Sequence, residues 1–203
     1  VVKFATDITE SKLKSAEDSG KLDALSRAQA VIEFTPTGEI LTANDNFLKT
    51  LGYQLSEIVG KHHAMFCEPA YARSDDYARF WERLRNGEFF AEEFTRIGRA
   101  GNKVYIQASY NPIIGPDGKV FKVVKFATDV TGRVENVVTL GRGLQSLAGG
   151  DLCCDIPTTF IPSLDQLRVD FNQTAARLRE AMRGIRENAK AIAAGSGEMK
   201  SAA

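Results

Sequence analysis

The two histidines of the chain, His62 and His63, are adjacent, and Cys67 follows shortly after them. Imidazole is the commonest metal ligand among neutral side chains, and it exchanges a proton close to pH 7. One thiol and two adjacent imidazoles do not make the tetrahedral set that a zinc ion requires, so these residues do not predict such a site. What the imidazoles bind therefore depends on the fold around them.

Catalytic motifs are absent from the sequence. It contains no P-loop, no GxGxxG and no recognisable pairing of a nucleophile with a base, so we predict that the chain is not an enzyme. Its three cysteines, Cys67, Cys153 and Cys154, form no even set for disulfides, which favours a reducing, cytoplasmic location.

The charge balance limits the possible partners. Lysine and arginine number 26, and aspartate and glutamate also number 26. No net field therefore favours nucleic acid or an anionic membrane. No apolar run approaches the roughly 18 residues of a membrane span, so we expect no membrane contact by this fragment. Whether the whole protein is membrane-anchored or soluble is left open.

An internal repeat organises the chain. V-V-K-F-A-T-D-I-T at residues 1–9 returns as V-V-K-F-A-T-D-V-T at residues 123–131, with one substitution. This spacing is the length of a domain, so residues 1–9 are predicted to end a preceding copy of the same domain. Each copy alternates apolar and polar residues and then breaks, as a strand entering a helix does. Asp129 and Thr131 are the predicted caps and signal-relay residues at this break.

Between the two copies, the periodicity predicts an α+β domain. Residues 10–29 have a rough helical spacing that Gly20 interrupts, which is typical of a helical linker. A hairpin, several short helices and three further strands follow, and an antiparallel sheet with helices on one face encloses a natural ligand cavity. The predicted strands are residues 30–34, 39–43, 88–97, 103–113 and a last strand that ends at 129. The longest predicted helix is residues 74–86.

Three separated motifs resemble one family. They are N-D-N-F-L-K-T-L-G-Y-Q-L-S-E-I-V-G-K at residues 44–61, F-W-E-R-L-R-N-G-E at 80–88 and G-K-V-F-K-V-V-K-F-A-T-D-V-T at 118–131. In this order they resemble the PAS sensor domain of bacterial methyl-accepting chemotaxis proteins, including aerotaxis receptors. The resemblance covers residues 30–131 and implies a five-stranded antiparallel sheet with short helices on one face.

After residue 131 the pattern becomes helical. A first helix ends at Gly-Gly-Asp-Leu, residues 149–152, and a connector with two prolines leads to a second helix. Helix, connector and parallel helix over residues 132–182 resemble the HAMP relay module, although only Asp165 represents the acidic pair usual in that family. Residues 183–203 are predicted to begin a signalling coiled coil. The heptad positions are Leu164, Phe171, Leu178, Ile185, Ile192 and Met199, with Ala175, Met182 and Ala189 beside them.

The resemblance implies candidate cofactors but does not choose among them. Haem b would use His62 or His63 as its iron ligand. FAD would use the region of Trp81 and Asn44, although Trp81 is more simply interpreted as an apolar anchor of its helix. A pocket that is empty or holds a small molecule is the third alternative. Four phenylalanines at strand positions are predicted to be core: Phe89, Phe90, Phe94 and Phe121.

The function that the resemblance implies is sensory signal transduction in chemotaxis or energy taxis. The PAS domain would detect a cofactor or ligand and pass its state through HAMP-like helices to a dimeric coiled coil that controls a kinase. The implied partners are a second copy of the chain, the chemotaxis coupling protein and its histidine kinase. The alternatives are a PAS domain that only dimerises or spaces the receptor, and the sensor half of a histidine kinase or cyclase.

Overall fold

A computed structural model describes residues 9–201, with side chains described throughout that range except at 11 and 196–201. Apart from Thr9, the predicted end of a preceding repeat at residues 1–9 lies outside the described residues. The chain divides into two compact units after Thr131. The first described element is helix α1, Thr9–Ala28, on which Ser26 is the one half-buried residue among the described side chains.

The first unit contains a five-stranded sheet in the order β2-β1-β5-β4-β3, and every neighbouring pair is antiparallel. This confirms the predicted α+β fold. In the turn between β1 and β2, Gly38 has φ +90°, and a Cβ there would lie 2.8 Å from Trp81. Glycine is therefore required by both conformation and space. The strands are β1 Ala30–Phe34, β2 Ile40–Ala43, β3 Phe90–Ile97, β4 Lys103–Ile114 and β5 Val120–Asp129.

Short helices lie between β2 and β3, and polar side chains start them. Asn44 and Ser74 cap two of them, because their side chains accept hydrogen bonds from the backbone N–H groups of Phe47 and Tyr77. The helices are α2 Asp45–Leu51, α3 Leu55–Ile58, a 3₁₀ helix His63–Phe66, α4 Pro69–Ala72 and α5 Asp75–Arg85. Together with the sheet they enclose an aromatic-rich core.

Two sequence predictions about this unit are wrong. Phe89 is 70% exposed and Phe121 is 55% exposed, whereas Phe90 and Phe94 are half-buried and pack against the core. Phe89 precedes the first residue of β3, so strand alternation does not apply to it. Phe121 lies at an irregularity in the β4–β5 pairing, where Ile113 pairs with Lys122 and Ile114 pairs with Val120, so the alternation that buries Val123 does not extend to it. Gly20 does not interrupt α1, because one glycine costs a helix only about 1 kcal/mol.

The second unit consists of two helices and a connector with its own small core. Helix α6, Thr131–Ala148, starts at the last residue of the first unit, and helix α7, Asp165–Ser201, follows the connector. Ile156 and Phe160 of the connector pack with Phe171 of α7, and Asn172 holds both backbone polar groups of Ile156. Among the described residues, no helix is long and apolar enough to cross a membrane.

Candidate functional site

His63 lies at the centre of the core of the first unit. It begins the 3₁₀ helix, and its side chain is 0% exposed. Aromatic rings surround the imidazole: Phe34, Trp81 and Tyr110 present edges at centroid distances of 5.3–5.6 Å, and Tyr77 stacks nearly parallel at 5.8 Å. The imidazole is therefore held by sheet and helices together.

Both ring nitrogens of His63 are hydrogen-bonded. Nδ1 lies 2.9 Å from the Tyr77 hydroxyl, and Nε2 lies 2.9 Å from the Tyr110 hydroxyl. Arg96 Nη2 donates to the Tyr110 hydroxyl at 2.9 Å. If Tyr110 then donates its own proton to Nε2, His63 donates from Nδ1 to Tyr77. Every side chain in this hydrogen-bonded series then has a partner.

Positive charge and burial keep the imidazole neutral. Burial is the main cause that lowers the pKa of His63 well below 6.5, and the charges of Arg96 and Lys125 lower it further. The nearby Cys67 sulfur lies 3.8 Å from Nδ1, and burial raises the pKa of this thiol. The site at neutral pH thus holds a neutral imidazole and a neutral thiol beside two basic side chains.

His62 has a different role from its neighbour. It is exposed and caps the 3₁₀ helix, with Nδ1 accepting from the Ala64 N–H at 3.2 Å and Nε2 donating to the Thr37 carbonyl at 2.8 Å. His62 therefore acts as a local cap, whereas His63 is buried. Among the described residues, no three His, Cys, Asp or Glu side chains cluster as a metal site would require.

Comparison with known proteins identifies this unit. A family model described as "PAS fold" matches residues 40–127. The Biofilm dispersion protein BdlA of Pseudomonas aeruginosa is 48% identical over 134 residues, which cover 66% of this chain and 32% of that protein. The matched segment is a PAS domain. The chain spans about a third of the length of this curated relative.

Two solved structures have similar folds, with TM-scores below 0.5. One is a domain of a sensory box sensor histidine kinase/response regulator from Geobacter sulfurreducens, with a TM-score of 0.47 and 23% identity, covering 55% of this chain and 94% of that one. Another is a PAS domain from Colwellia psychrerythraea, with a TM-score of 0.49 and 17% identity, covering 56% and 96%.

The PAS core, as packed, does not fit haem b. An axial ligand must present a free lone pair to the iron, but both nitrogens of His63 and both nitrogens of His62 are already in hydrogen bonds. The porphyrin would also have to displace the rings around His63. Haem therefore stays a prediction from resemblance.

Asn44 and Trp81, the residues predicted for FAD, have different structural roles. Asn44 uses its whole amide to tie α2 to the start of the sheet: Oδ1 accepts from Val31 and Phe47, and Nδ2 donates to the carbonyls of Ser26 and Gln29. Trp81 is 3% exposed and packs edge-on against Phe34. Its apolar-anchor interpretation describes these contacts, and FAD also stays a prediction.

The predicted relay residues lie where the PAS sheet ends. Asp129 Oδ1 accepts the backbone N–H of Thr131 at 2.8 Å, and Thr131 Oγ1 accepts the backbone N–H of Tyr105 at 3.0 Å. The Val130 N–H donates to the Tyr105 carbonyl at 2.9 Å. These three bonds fix the end of β5 against β4.

Sequence reasoning missed the basic side chains of the PAS core. Arg96 is 3% exposed and Lys125 is 1% exposed. A signal existed for Arg96, because it lies two residues after Phe94 on the same face of β3. No comparable signal marks Lys125, since both faces of β5 carry apolar residues.

Proposed function

We propose that the chain is the input and relay section of a chemotaxis-type sensory protein, with a regulatory and not a catalytic role. The PAS domain would detect a small molecule, and the helices that follow would carry its state to a kinase-controlling coiled coil. The 48% identity to a biofilm dispersion protein supports a place in a protein that controls a bacterial response.

Strand β5 is the observation that carries this proposal. It is the central strand of the sheet, it contributes Lys125 to the core, and it ends at Asp129. Helix α6 begins two residues later, at Thr131. Because Asp129 and Thr131 are bonded to each other and to β4, a shift of β5 must alter the first turn of α6. A ligand would bias two such arrangements by its different affinity for them.

The second unit supplies the proposed receiving element. Residues 132–182 would act as a HAMP-like relay, and residues 183–203 would begin the coiled coil of a homodimer. The exposure of Ile185 at 61% and Ile192 at 70% supports this, because heptad residues are buried only when a partner helix covers them. By resemblance, the downstream partners are the chemotaxis coupling protein and its histidine kinase.

The relay is tested by Asp129→Ala in the full-length protein, assembled with the coupling protein and histidine kinase. Losing this cap should shift basal kinase activity, because the start of α6 is released from β5; a change of about fivefold corresponds to the ~1 kcal/mol usual for a cap. Asp129→Asn is the matched control, since its amide oxygen can also accept the Thr131 N–H. Unchanged kinase activity in Asp129→Ala would overturn the relay.

A second candidate function is a passive dimerisation spacer. The hydrogen bonds of His63 favour this function, because both ring nitrogens have partners within the core and need no ligand. A spacer predicts that Asp129→Ala keeps the dimer and leaves kinase activity unchanged. The same experiment therefore separates the two functions.

A further inference from the structure

Two basic side chains, Arg96 and Lys125, are buried in the PAS core without an acid. Among the described side chains, neither makes an ion pair, and the buried polar residues are these two and His63. Buried charges in proteins are normally paired, because leaving one unpaired costs several kcal/mol. The composition of this core is thus unusual for one that serves packing alone.

Neighbouring groups do not supply the missing negative charge. Burial raises the pKa of the Tyr110 hydroxyl to about 12, so it is a neutral phenol at physiological pH. Burial also raises the pKa of Cys67, which therefore stays a thiol. The basic groups have only partial compensation: the Arg96 guanidinium lies 4.7 Å from the Phe94 ring centroid, and Lys125 Nζ lies 4.7 Å from the Tyr110 centroid.

Unused hydrogen-bond donors meet around Tyr110. Arg96 Nη2 bonds the Tyr110 hydroxyl and Nη1 bonds the Thr95 carbonyl, but the buried Nε has no acceptor among the described residues. Lys125 Nζ lies over the rings of Tyr110 and Phe47, 4.7 Å and 5.9 Å from their centroids. Arg96 and Lys125 therefore border the same tyrosine of β4 from the strands on its two sides, β3 and β5.

We propose that this core binds the carboxylate of a small organic acid between Arg96 and Lys125. A guanidinium matches the two oxygens of a carboxylate, and an ammonium adds a compact charge. The surrounding rings of Phe34, Phe47 and Phe80 favour an apolar remainder on the acid. The proposal rests on the sensory function above and gives its ligand a chemical class.

Arg96 lies on β3, which is the edge strand, and its guanidinium packs on the half-buried ring of Phe94. Two of its five N–H groups are held by hydrogen bonds, so donors, among them the unpartnered Nε, remain for a carboxylate. A bound anion would also reverse the effect of burial and of Arg96, which together lower the pKa of Lys125.

The test measures thermal unfolding of the chain with the sodium salts of acetate, butyrate, benzoate and succinate. Butyramide and benzamide serve as neutral analogues, and sodium chloride matches the ionic strength. At least one acid should raise the unfolding midpoint in a saturable way, by about 5 °C at roughly a hundred times its dissociation constant. The neutral amide of that acid and sodium chloride should leave the unfolding midpoint unchanged. No response to any acid, or an equal response to an amide or chloride, would overturn the proposal.

Lys125→Met separates a ligand-binding role from a structural one. It removes an unpaired buried amine and keeps the length of the side chain, so without ligand the midpoint should rise by about 3–6 °C. The same variant should lose the response to the acid. Lys122→Met is the matched control on β5, since Lys122 pairs with Glu33 and is partly exposed, and it should retain the response. A full response in Lys125→Met would contradict the assignment.

The outcomes for the ligand and for the relay are independent. An acid that stabilises the chain while Asp129→Ala leaves the kinase unaffected would support the carboxylate site and remove the relay. Altered kinase control with no stabilising acid would do the reverse.

Discussion

The buried imidazole of His63 makes folding stability depend on pH. Its pKa is lowered in the folded protein, so between that lowered pKa and the ordinary 6.5 the unfolded chain binds a proton that the folded chain does not. Stability is therefore retained above pH 6.5 and falls as the pH drops below it, with a limit of about 1.4 kcal/mol per pH unit for one proton.

His63→Gln should reduce this slope by up to that amount, measured as the free energy of unfolding by urea between pH 7.5 and 5. Tyr77→Phe is the control, because it loses the hydroxyl bonded to Nδ1 but keeps the buried imidazole and hence the slope. An unchanged slope in His63→Gln would show that the pKa of His63 is the same in the folded and the unfolded chain.

Single residues of this core were predictable only in part. The alternation of β4 places Tyr110 inside with Val104, Ile106 and Ala108, and all four are buried. A basic residue on an inward position contradicts the pattern that sequence reasoning relies on, so Lys125 could be found only from the folded structure, whereas Arg96 had one signal, its place two residues after Phe94 on β3. The different roles of His62 and His63 also depend on the 3₁₀ helix, which His62 caps and His63 begins.

Most secondary-structure elements could be predicted, because local chemistry decides their ends. Asn44 and Ser74 have side chains that cap helices, and Gly38 satisfies a turn that needs positive φ. The packing of one helix against another was not predictable, because it depends on which faces meet. The close approach of Gly143 on α6 to the Phe171 ring on α7 is such a contact.

Gly143→Ala should destabilise the second unit. An alanine usually stabilises a helix by about 1 kcal/mol over glycine, but here its Cβ would lie 2.8 Å from Phe171. Overpacking of a buried ring costs about 1–3 kcal/mol, so the net change should be a loss. Gly141→Ala on the same helix meets nothing within 4 Å and should stabilise by up to about 1 kcal/mol.

The measurement is chemical unfolding followed by helical circular dichroism. Phe171→Leu added to Gly143→Ala should recover part of the loss, because the smaller side chain gives the methyl room. Equal stabilisation by both alanines would mean that α6 and α7 do not pack at Gly143.

At the scale of the whole molecule, the heptad pattern predicts a partner that one chain does not supply. Phe171 is 6% exposed and is covered within its own unit, whereas Leu178, at the next heptad position, is 42% exposed. The exposure increases along α7 to 70% at Ile192. An apolar stripe of this kind is stable in water when a second helix buries it, so the seam beyond Phe171 favours a homodimer.

Leu178→Asp should shift the chain from dimer to monomer in sedimentation velocity, because a carboxylate in the seam would be buried without a partner. The dissociation constant should rise by at least about a hundredfold, since a buried unpaired charge costs 3 kcal/mol or more. Gln173→Asp places the same charge on an exposed position of α7 outside the seam, and it should leave the dimer intact. Equal sedimentation of wild type and Leu178→Asp would contradict the coiled coil. The relay would then have to act within a single chain.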